Sequence, residues 1–228
     1  MNNFDISIIM PCLNEENTVG LCVRSALDII FKMGITGEVL VVDNGSNDDS
    51  VHIAGAAGAR VVMEQRRGYG LALRRGIRSA RGDVMILIDA DTTYDFRDIP
   101  KMYYPMAYGK ADVIIGDRFA GGMSRGAMSL THRIGVRVLS FLGRLRFESS
   151  VRDFHCGLRG LTRKAAGKMR FHTDGMEFAT EMIAEAERRK LKIGQVPVSL
   201  RMCRFERVSK LKTIRDGLRH LLYIICGF

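Results

Sequence analysis

Asp83-Val84-Met85-Ile86-Leu87-Ile88-Asp89-Ala90-Asp91-Thr92 runs through five apolar residues in a row and then meets two carboxylates one small residue apart. An unbroken apolar run suits a strand covered on both faces, as in a parallel sheet, rather than the alternating pattern of a half-exposed strand. Open α/β sheets bind ligands beyond the carboxyl ends of such strands, which sets Asp89 and Asp91 where chemistry is expected. Hard divalent cations prefer oxygen ligands, and Mg²⁺ is commonly held by one or two carboxylates together with substrate phosphates. Asp-x-Asp by itself favours two solvated acids in a turn, and it is the rest of the chain that reverses this.

Toward the N-terminus, Ile6-Ser7-Ile8-Ile9-Met10 predicts a strand stopped by Pro11, and a polar turn leads into a helix through about Met33 with Asn14 or Asn17 as cap. Glu38-Val39-Leu40-Val41-Val42 predicts a second strand ending in Asp43-Asn44-Gly45-Ser46, which is turn chemistry. A short strand at Arg60–Met63 and a helix from about Leu71 to Ala80 complete the approach to Asp83. Strand and helix in alternation with short links predict a doubly wound, mainly parallel sheet flanked by helices. The acid-bearing turns at Asn14-Glu15, Asp43 and Asp89-Asp91 then share one edge of that sheet.

Toward the C-terminus the pattern predicts a helix over Asp95 to Ala107, a strand at Asp112–Gly116 and a glycine-rich loop from Asp117 to Arg125. Helix follows from about Ala127 to Leu145, with Arg133 and Arg137 on a shared face. A loop from Arg152 enters a short strand, a helix from Gly175 to Arg189 spaces Glu177, Glu181 and Glu185 by four, and a last strand runs from Leu191 to Leu200. On a helix starting near Ser209, Leu211, Ile214, Leu218, Leu221, Leu222 and Ile225 form one stripe while Lys210, Lys212, Arg215 and Arg219 stay outside it. Such a basic amphipathic helix either lies in an anionic membrane interface or packs on the domain with its cations solvated. The organisation expected is a catalytic domain over residues 1–200 and a basic loop with this helix over 201–228.

Composition bounds the function. A hydrophobic share of 46% and a charged share of 26% are those of a folded globular chain. The net charge of +10 calls for an anionic partner, whether nucleic acid, anionic lipid or a phosphorylated substrate. Interleaved basic and aromatic residues and zinc-finger spacing are both missing, which argues against nucleic acid. Five scattered cysteines without a CxxC pair fit reduced thiols. The opening residues lack a signal peptide's features, and no apolar run reaches the roughly 20 residues of a span. The expected location is the cytoplasm, peripheral on the inner face of the membrane.

Pro11-Cys12-Leu13-Asn14-Glu15, Val41-Val42-Asp43-Asn44-Gly45-Ser46-Asn47-Asp48, Gly68-Tyr69-Gly70-Leu71-Ala72 and Asp89-Ala90-Asp91 together resemble the successive motifs of family 2 glycosyltransferases of the GT-A fold. Gly116-Asp117-Arg118-Phe119, Asp153-Phe154-His155-Cys156-Gly157-Leu158-Arg159 and Ser209-Lys210 are similar to the polyprenyl-phosphate branch, which includes dolichol-phosphate mannose synthase. The resemblance implies an inverting hexosyltransferase using Mg²⁺ or Mn²⁺. Asp89 and Asp91 would hold the metal, with Ala90 between them, against a nucleotide-sugar diphosphate. Pro11, Leu13, Asn14, Glu15 and Asp43 would meet the nucleoside, and Arg67 and Gly68 would border it. Arg118 and Arg133 would hold the phosphate of a polyprenyl acceptor, with Arg125 and Arg137 as lesser candidates. Asp153 and Glu177 would line the acceptor side or serve as structural partners of Arg159. Arg204, Ser209 and Lys210 match a loop that closes over the diphosphate. The His-Cys-Gly-Leu-Arg run favours a UDP-sugar, and His155 suits a packed loop residue better than a base. Val136 stands where relatives place Asn, and Arg207 where they place Gly. A soluble or protein acceptor, with the basic tail as packing, is the competing expectation.

Overall fold

The computed structural model describes residues 4–203, 205 and 213–227. Strands β1 (Phe4–Cys12), β2 (Gly37–Asp43) and β3 (Arg60–Met63) alternate with helices α1 (Val19–Met33) and α2 (Ser50–Ala56). Helix α3 (Tyr69–Ser79) leads to β4 (Gly82–Leu87), and α4 (Ile99–Ala107) to β5 (Val113–Asp117). Then come α5 (Arg118–Gly121), α6 (Leu130–Phe147), β6 (Arg159–Thr162), α7 (Arg163–Lys168), α8 (Phe178–Arg188), β7 (Ile193–Pro197) and α9 (Thr213–Cys226). The strands form one sheet in the order β3-β2-β1-β4-β6-β5-β7. β1 to β4 are mutually parallel, β6 runs antiparallel to both β4 and β5, and β5 pairs in parallel with β7. The mainly parallel α/β sheet with a C-terminal helix is as the sequence implied.

The apolar runs account for the centre of the sheet. Ile6, Ile8, Ile9 and Met10 of β1 and Val84 to Leu87 of β4 are all buried, and helices cover both faces. The chain winds outward from β1 to β3 and then crosses back to β4, so the carboxyl ends of β1 and β4 part company side by side. That divergence opens a crevice at a switch point of the topology.

Several local expectations are corrected. β1 does not stop at Pro11 but runs on to Cys12, because Pro11 lies past the ladder with β4 and pairs only with β2, where its missing N–H costs little. Neither Asn14 nor Asn17 caps α1. Thr18 stands at that position without a side-chain cap bond, and Asn14, at φ 52°, instead accepts the Asn47 N–H at 2.8 Å. The stretch expected as a loop after β5 turns into α5, because the Asp117 carboxylate accepts the N–H groups of Phe119 and Ala120.

Candidate active site

The loops after β1 and β2 are tied together before any ligand arrives. Asn14 N–H donates to Ser46 Oγ, Glu15 N–H to Ser50 Oγ and Glu16 N–H to Asp48, at 2.8 to 3.1 Å. The Asp43 carboxylate closes its own turn by accepting the N–H groups of Gly45 and Ser46 through Oδ2, while its buried Oδ1 has no hydrogen-bond partner among the described residues. Asn44 accepts the Gly68 N–H at 2.7 Å and donates to the Glu64 and Arg66 carbonyls, fixing the approach to α3. Gly68 is demanded by close approach, since a Cβ there would stand 2.2 Å from the Asp174 carbonyl oxygen.

Asp89 and Asp91 leave the end of β4 into a cavity of about 620 Å³, and both line it. Tyr69, at the start of α3, donates its hydroxyl to Asp89 Oδ1 at 3.0 Å. Burial, then the Asp89 charge, push that phenol well above its ordinary pKa, so it remains a donor. The Asp91 carboxylate accepts the Thr93 N–H and hydroxyl. Gly157 presses on the other side of Asp89: a Cβ there would lie 2.3 Å from Oδ2. The Gly157 N–H is in turn held by Tyr94 Oη at 2.7 Å. Asp91 is buried behind its Thr93 contacts, and Asp89 is held between Tyr69 and Gly157, both of them on the cavity wall.

On the side of β1 and β2 the cavity is walled by Pro11, Leu13, Glu15, Asn44, Arg67 and Gly68, and Ala90 also lines it. Asn14 and Asp43 stand outside that wall and shape it through the loops they brace. From the aspartates the cavity continues past Arg118, His132, Val136, Leu139 and His155 to Gly217 and His220 of α9.

On this far side the assignments change. Arg118 is buried and its Nε and Nη2 bind Asp153 at 2.7 and 2.8 Å, so any further anion meets only the Nη1 side of the fork. Asp153 is fully buried and does not line the cavity, which makes it a positioning residue for Arg118 rather than a group that meets substrate. Arg133 does not line the cavity either: it is exposed on the outer side of α6, and His132 holds the cavity side of that turn. Arg125 is exposed, and Arg137 lies over the Phe119 ring. Glu177 pairs with Arg219 of α9, not with Arg159. Arg159 is buried against three carbonyl oxygens, of Cys156, Ala179 and Phe154, each at 2.6 Å. Arg204, Ser209 and Lys210 lie outside the described residues.

His155 contacts Ser140 Oγ at 3.4 Å and meets the His220 ring edge-on at 4.3 Å between centroids. Burial, then His220 and Arg118, hold its pKa well below the ordinary value, so the ring is neutral. Motif reading passed over Tyr69, Tyr94, His132 and Gly157 as site residues, although Tyr69 and Gly157 sit inside quoted motifs. The packing that gives them their roles joins segments far apart in the chain.

A crevice at the switch point, two aspartates at its base and a tyrosine-braced carboxylate define a glycosyltransferase of the GT-A fold. The family model for glycosyl transferase family 2 matches residues 7–170, and the chain belongs to that family. It is 34% identical over 221 residues to the low-salt glycan biosynthesis hexosyltransferase Agl6 of Haloferax volcanii, covering 96% of this chain but 53% of that protein. It is 32% identical to glycosyltransferase AglJ of the same organism, covering 93% of this chain and 68% of AglJ. The chain thus spans about half the length of the first of these relatives. Among solved structures, glucosyl-3-phosphoglycerate synthase of Mycobacterium tuberculosis, in complex with Mn²⁺, UDP-glucose and phosphoglyceric acid, superposes with a TM-score of 0.77 at 25% identity. That match covers 99% of this chain and 80% of the synthase chain. The protein is a family 2 glycosyltransferase.

Proposed function

We propose that this enzyme moves a hexose from a UDP-sugar to a polyprenyl phosphate, with inversion at the anomeric carbon, at the cytoplasmic face of a membrane. The observation that carries the reading is the extent of the cavity, acidic where the chain leaves β4 at Asp89 and Asp91 and continuing past Arg118, Val136 and Leu139 to α9. Asp89 and Asp91 fit Mg²⁺ or Mn²⁺: both are oxygen donors on an open wall, and a donor diphosphate would complete the ligand shell. When bound, the cation offsets the negative charge that gathers on the diphosphate as the glycosidic bond breaks. Tyr69 and Gly157 fix the Asp89 carboxylate for that task. Asp43, behind the cavity wall, braces the Gly45–Ser46 turn beside which the nucleoside would lie.

A phosphate acceptor is already anionic, so the protein has to place it rather than deprotonate it. Arg118, held rigid by Asp153, and the amino end of α6 present positive charge on the acceptor side. His132, whose pKa burial and then Arg118 lower, stays neutral there. The basic segment over 201–228 serves in this reading as closing loop and interfacial helix. A soluble acceptor is the second reading, favoured by the phosphoglyceric acid complex of the mycobacterial synthase.

The test is transfer of labelled sugar from UDP-glucose, UDP-galactose and GDP-mannose with Mn²⁺, to polyprenyl phosphate in vesicles or to 3-phosphoglycerate in solution. Label moving into organic solvent from a UDP-sugar is the expected result. Label found only on the soluble acceptor would replace the first reading with the second. Asp89→Ala and Asp91→Ala should each abolish transfer while the fold persists.

A further inference from the structure

Arg159, at the head of β6, is 1% exposed and is the bulkiest of the fully buried side chains among the described residues. Burying a charge is costly unless its surroundings answer it. Here the answer comes from backbone carbonyls: Nε donates to Cys156 O, Nη1 to Ala179 O and Nη2 to Phe154 O, each at 2.6 Å. An apolar side chain could fill the same space without that cost. The reason for the cation lies in the peptide units that those carbonyls belong to.

The Cys156 carbonyl shares its peptide unit with the Gly157 N–H. Arg159 Nε holds the oxygen of that unit, and its N–H donates to Tyr94 Oη at 2.7 Å. Fixed at both ends, the unit sets Gly157 against Asp89, where a Cβ would stand 2.3 Å from Oδ2. The Phe154 carbonyl shares its peptide unit with the His155 N–H. Arg159 Nη2 holds that oxygen, and the N–H donates to Asp153 Oδ1 at 3.2 Å. The same Asp153 oxygen accepts Arg118 Nη2 at 2.8 Å. The third arm ties the loop to Ala179 of α8, which lines the cavity. A cation on a carbonyl oxygen polarises the peptide and strengthens the bond that its N–H makes at the other end. Arginine suits the task because its planar fork presents donors in fixed directions, whereas lysine offers one compact point charge.

We infer that Arg159 is the positioning residue that couples the two halves of the site: through the 156–157 peptide it sets Asp89 for the metal, and through the 154–155 peptide it sets Asp153 and hence Arg118 for the acceptor. This rests on the reading above, in which Asp89 serves the cation and Arg118 the acceptor. Arg159 does not itself line the cavity and acts only through these peptides.

The experiment compares Arg159→Lys, Tyr94→Phe, Gly157→Ala and the parent protein well below the Tm of each. Mn²⁺ affinity is measured by titration calorimetry in the presence of UDP. KM is measured by label transfer to the acceptor that the parent uses, polyprenyl phosphate or 3-phosphoglycerate. Arg159→Lys keeps the charge and gives up the fork, and should weaken Mn²⁺ affinity and raise the acceptor KM by about tenfold each. Tyr94→Phe frees one end of the 156–157 peptide alone, so Mn²⁺ affinity should fall while the acceptor KM stays parental. With Arg159→Lys and Gly157→Ala combined, the loss of Mn²⁺ affinity should fall short of the product of the single losses, because both act by moving Asp89. A lowered Tm with parental affinity and KM would make Arg159 a core residue only and overturn the proposal, and so would losses that multiply. Should Arg159→Lys not fold, Tyr94→Phe decides: a rise in acceptor KM alongside lost Mn²⁺ affinity, or no change in either, overturns the division between the two peptides. Parental Mn²⁺ affinity in Asp89→Ala overturns instead the reading of the site on which the proposal rests.

Discussion

Replacing Gly157 by alanine adds one methyl group and tests whether the position of Asp89 governs transfer. The backbone there is not left-handed, so alanine meets no conformational penalty. Its Cβ would stand 2.3 Å from Asp89 Oδ2, and 3.2 Å from both Asp89 Cγ and the Tyr94 ring. Ordinary contact begins near 3.4 Å, so the carboxylate oxygen must retreat by about 1 Å. Tyr94 cannot give way easily, because it is buried and bound to the same peptide N–H. A reacting group displaced by about 1 Å loses roughly a hundredfold in rate, equivalent to about 2.7 kcal/mol in the barrier. The assay is kcat/KM for sugar transfer over a Mn²⁺ titration, with urea unfolding as control. Expected are a fall of about two orders of magnitude and weaker half-saturation by Mn²⁺, with unfolding barely changed. Parental kinetics at all Mn²⁺ concentrations would refute the claim that Asp89 must sit where Gly157 puts it. Gly55→Ala, on the exposed side of α2 with nothing within 4 Å of the new methyl, is the matched control and should leave kinetics untouched.

Tyr69→Phe removes the hydroxyl that fixes Asp89 without changing shape, and should weaken Mn²⁺ affinity by about 10- to 100-fold in a metal titration. Asp153→Ala strands the buried Arg118 cation and should cost about 3–5 kcal/mol in urea unfolding, while the pair replacement Arg118→Met with Asp153→Leu recovers most of that stability but not transfer. His220 is buried against Thr180 Oγ1 with its pKa lowered from 6.5 to about 3, by burial first and then by Arg159 and Arg219. The unfolded chain therefore binds the proton that the folded one refuses. Stability is intact above pH 6.5 and is lost as pH falls from there toward 3, at up to about 1.4 kcal/mol per pH unit for this group. His220→Gln should flatten that part of the profile in unfolding titrations between about pH 5 and pH 7.5, and His155 retains a share of the slope because its pKa moves in the same direction.

The sheet was legible because β1, β2 and β4 are continuous apolar runs, which only a doubly covered strand explains. β6 was harder: Arg159-Gly160-Leu161-Thr162 has neither the length nor the apolar content of its neighbours, and its antiparallel direction comes from where β5 leaves room. The meeting of the loops after β1, β2 and β4 at one sheet edge was legible through Glu15, Asp43 and the Asp89–Asp91 pair, polar residues directly after apolar strands. The acceptor side was not. Arginines on α6 look alike in a sequence, and which of them faces inward depends on how α6 rolls on Phe154, a contact set by Gly143. For Asp153 the resemblance left two roles open, lining the acceptor side or pairing structurally with an arginine. That Arg118 would occupy both its oxygens is a matter of burial that spacing does not encode.

The antiparallel course of β6 also bears on how the enzyme comes into being during synthesis. Leu87, at the exit of β4, is paired with Arg159, at the entry of β6, so the tail of one strand and the head of the other deliver Asp89 and Gly157 to the same point. A nascent chain stalled before β6 can still complete the β1-β2-β3 sheet and the loops that follow β1 and β2, yet leaves its aspartate unsupported on one flank. Catalytic competence should therefore appear late, in step with closure of the whole sheet, and nucleotide binding should precede it. Fragment complementation across the β5–β6 boundary would expose that order.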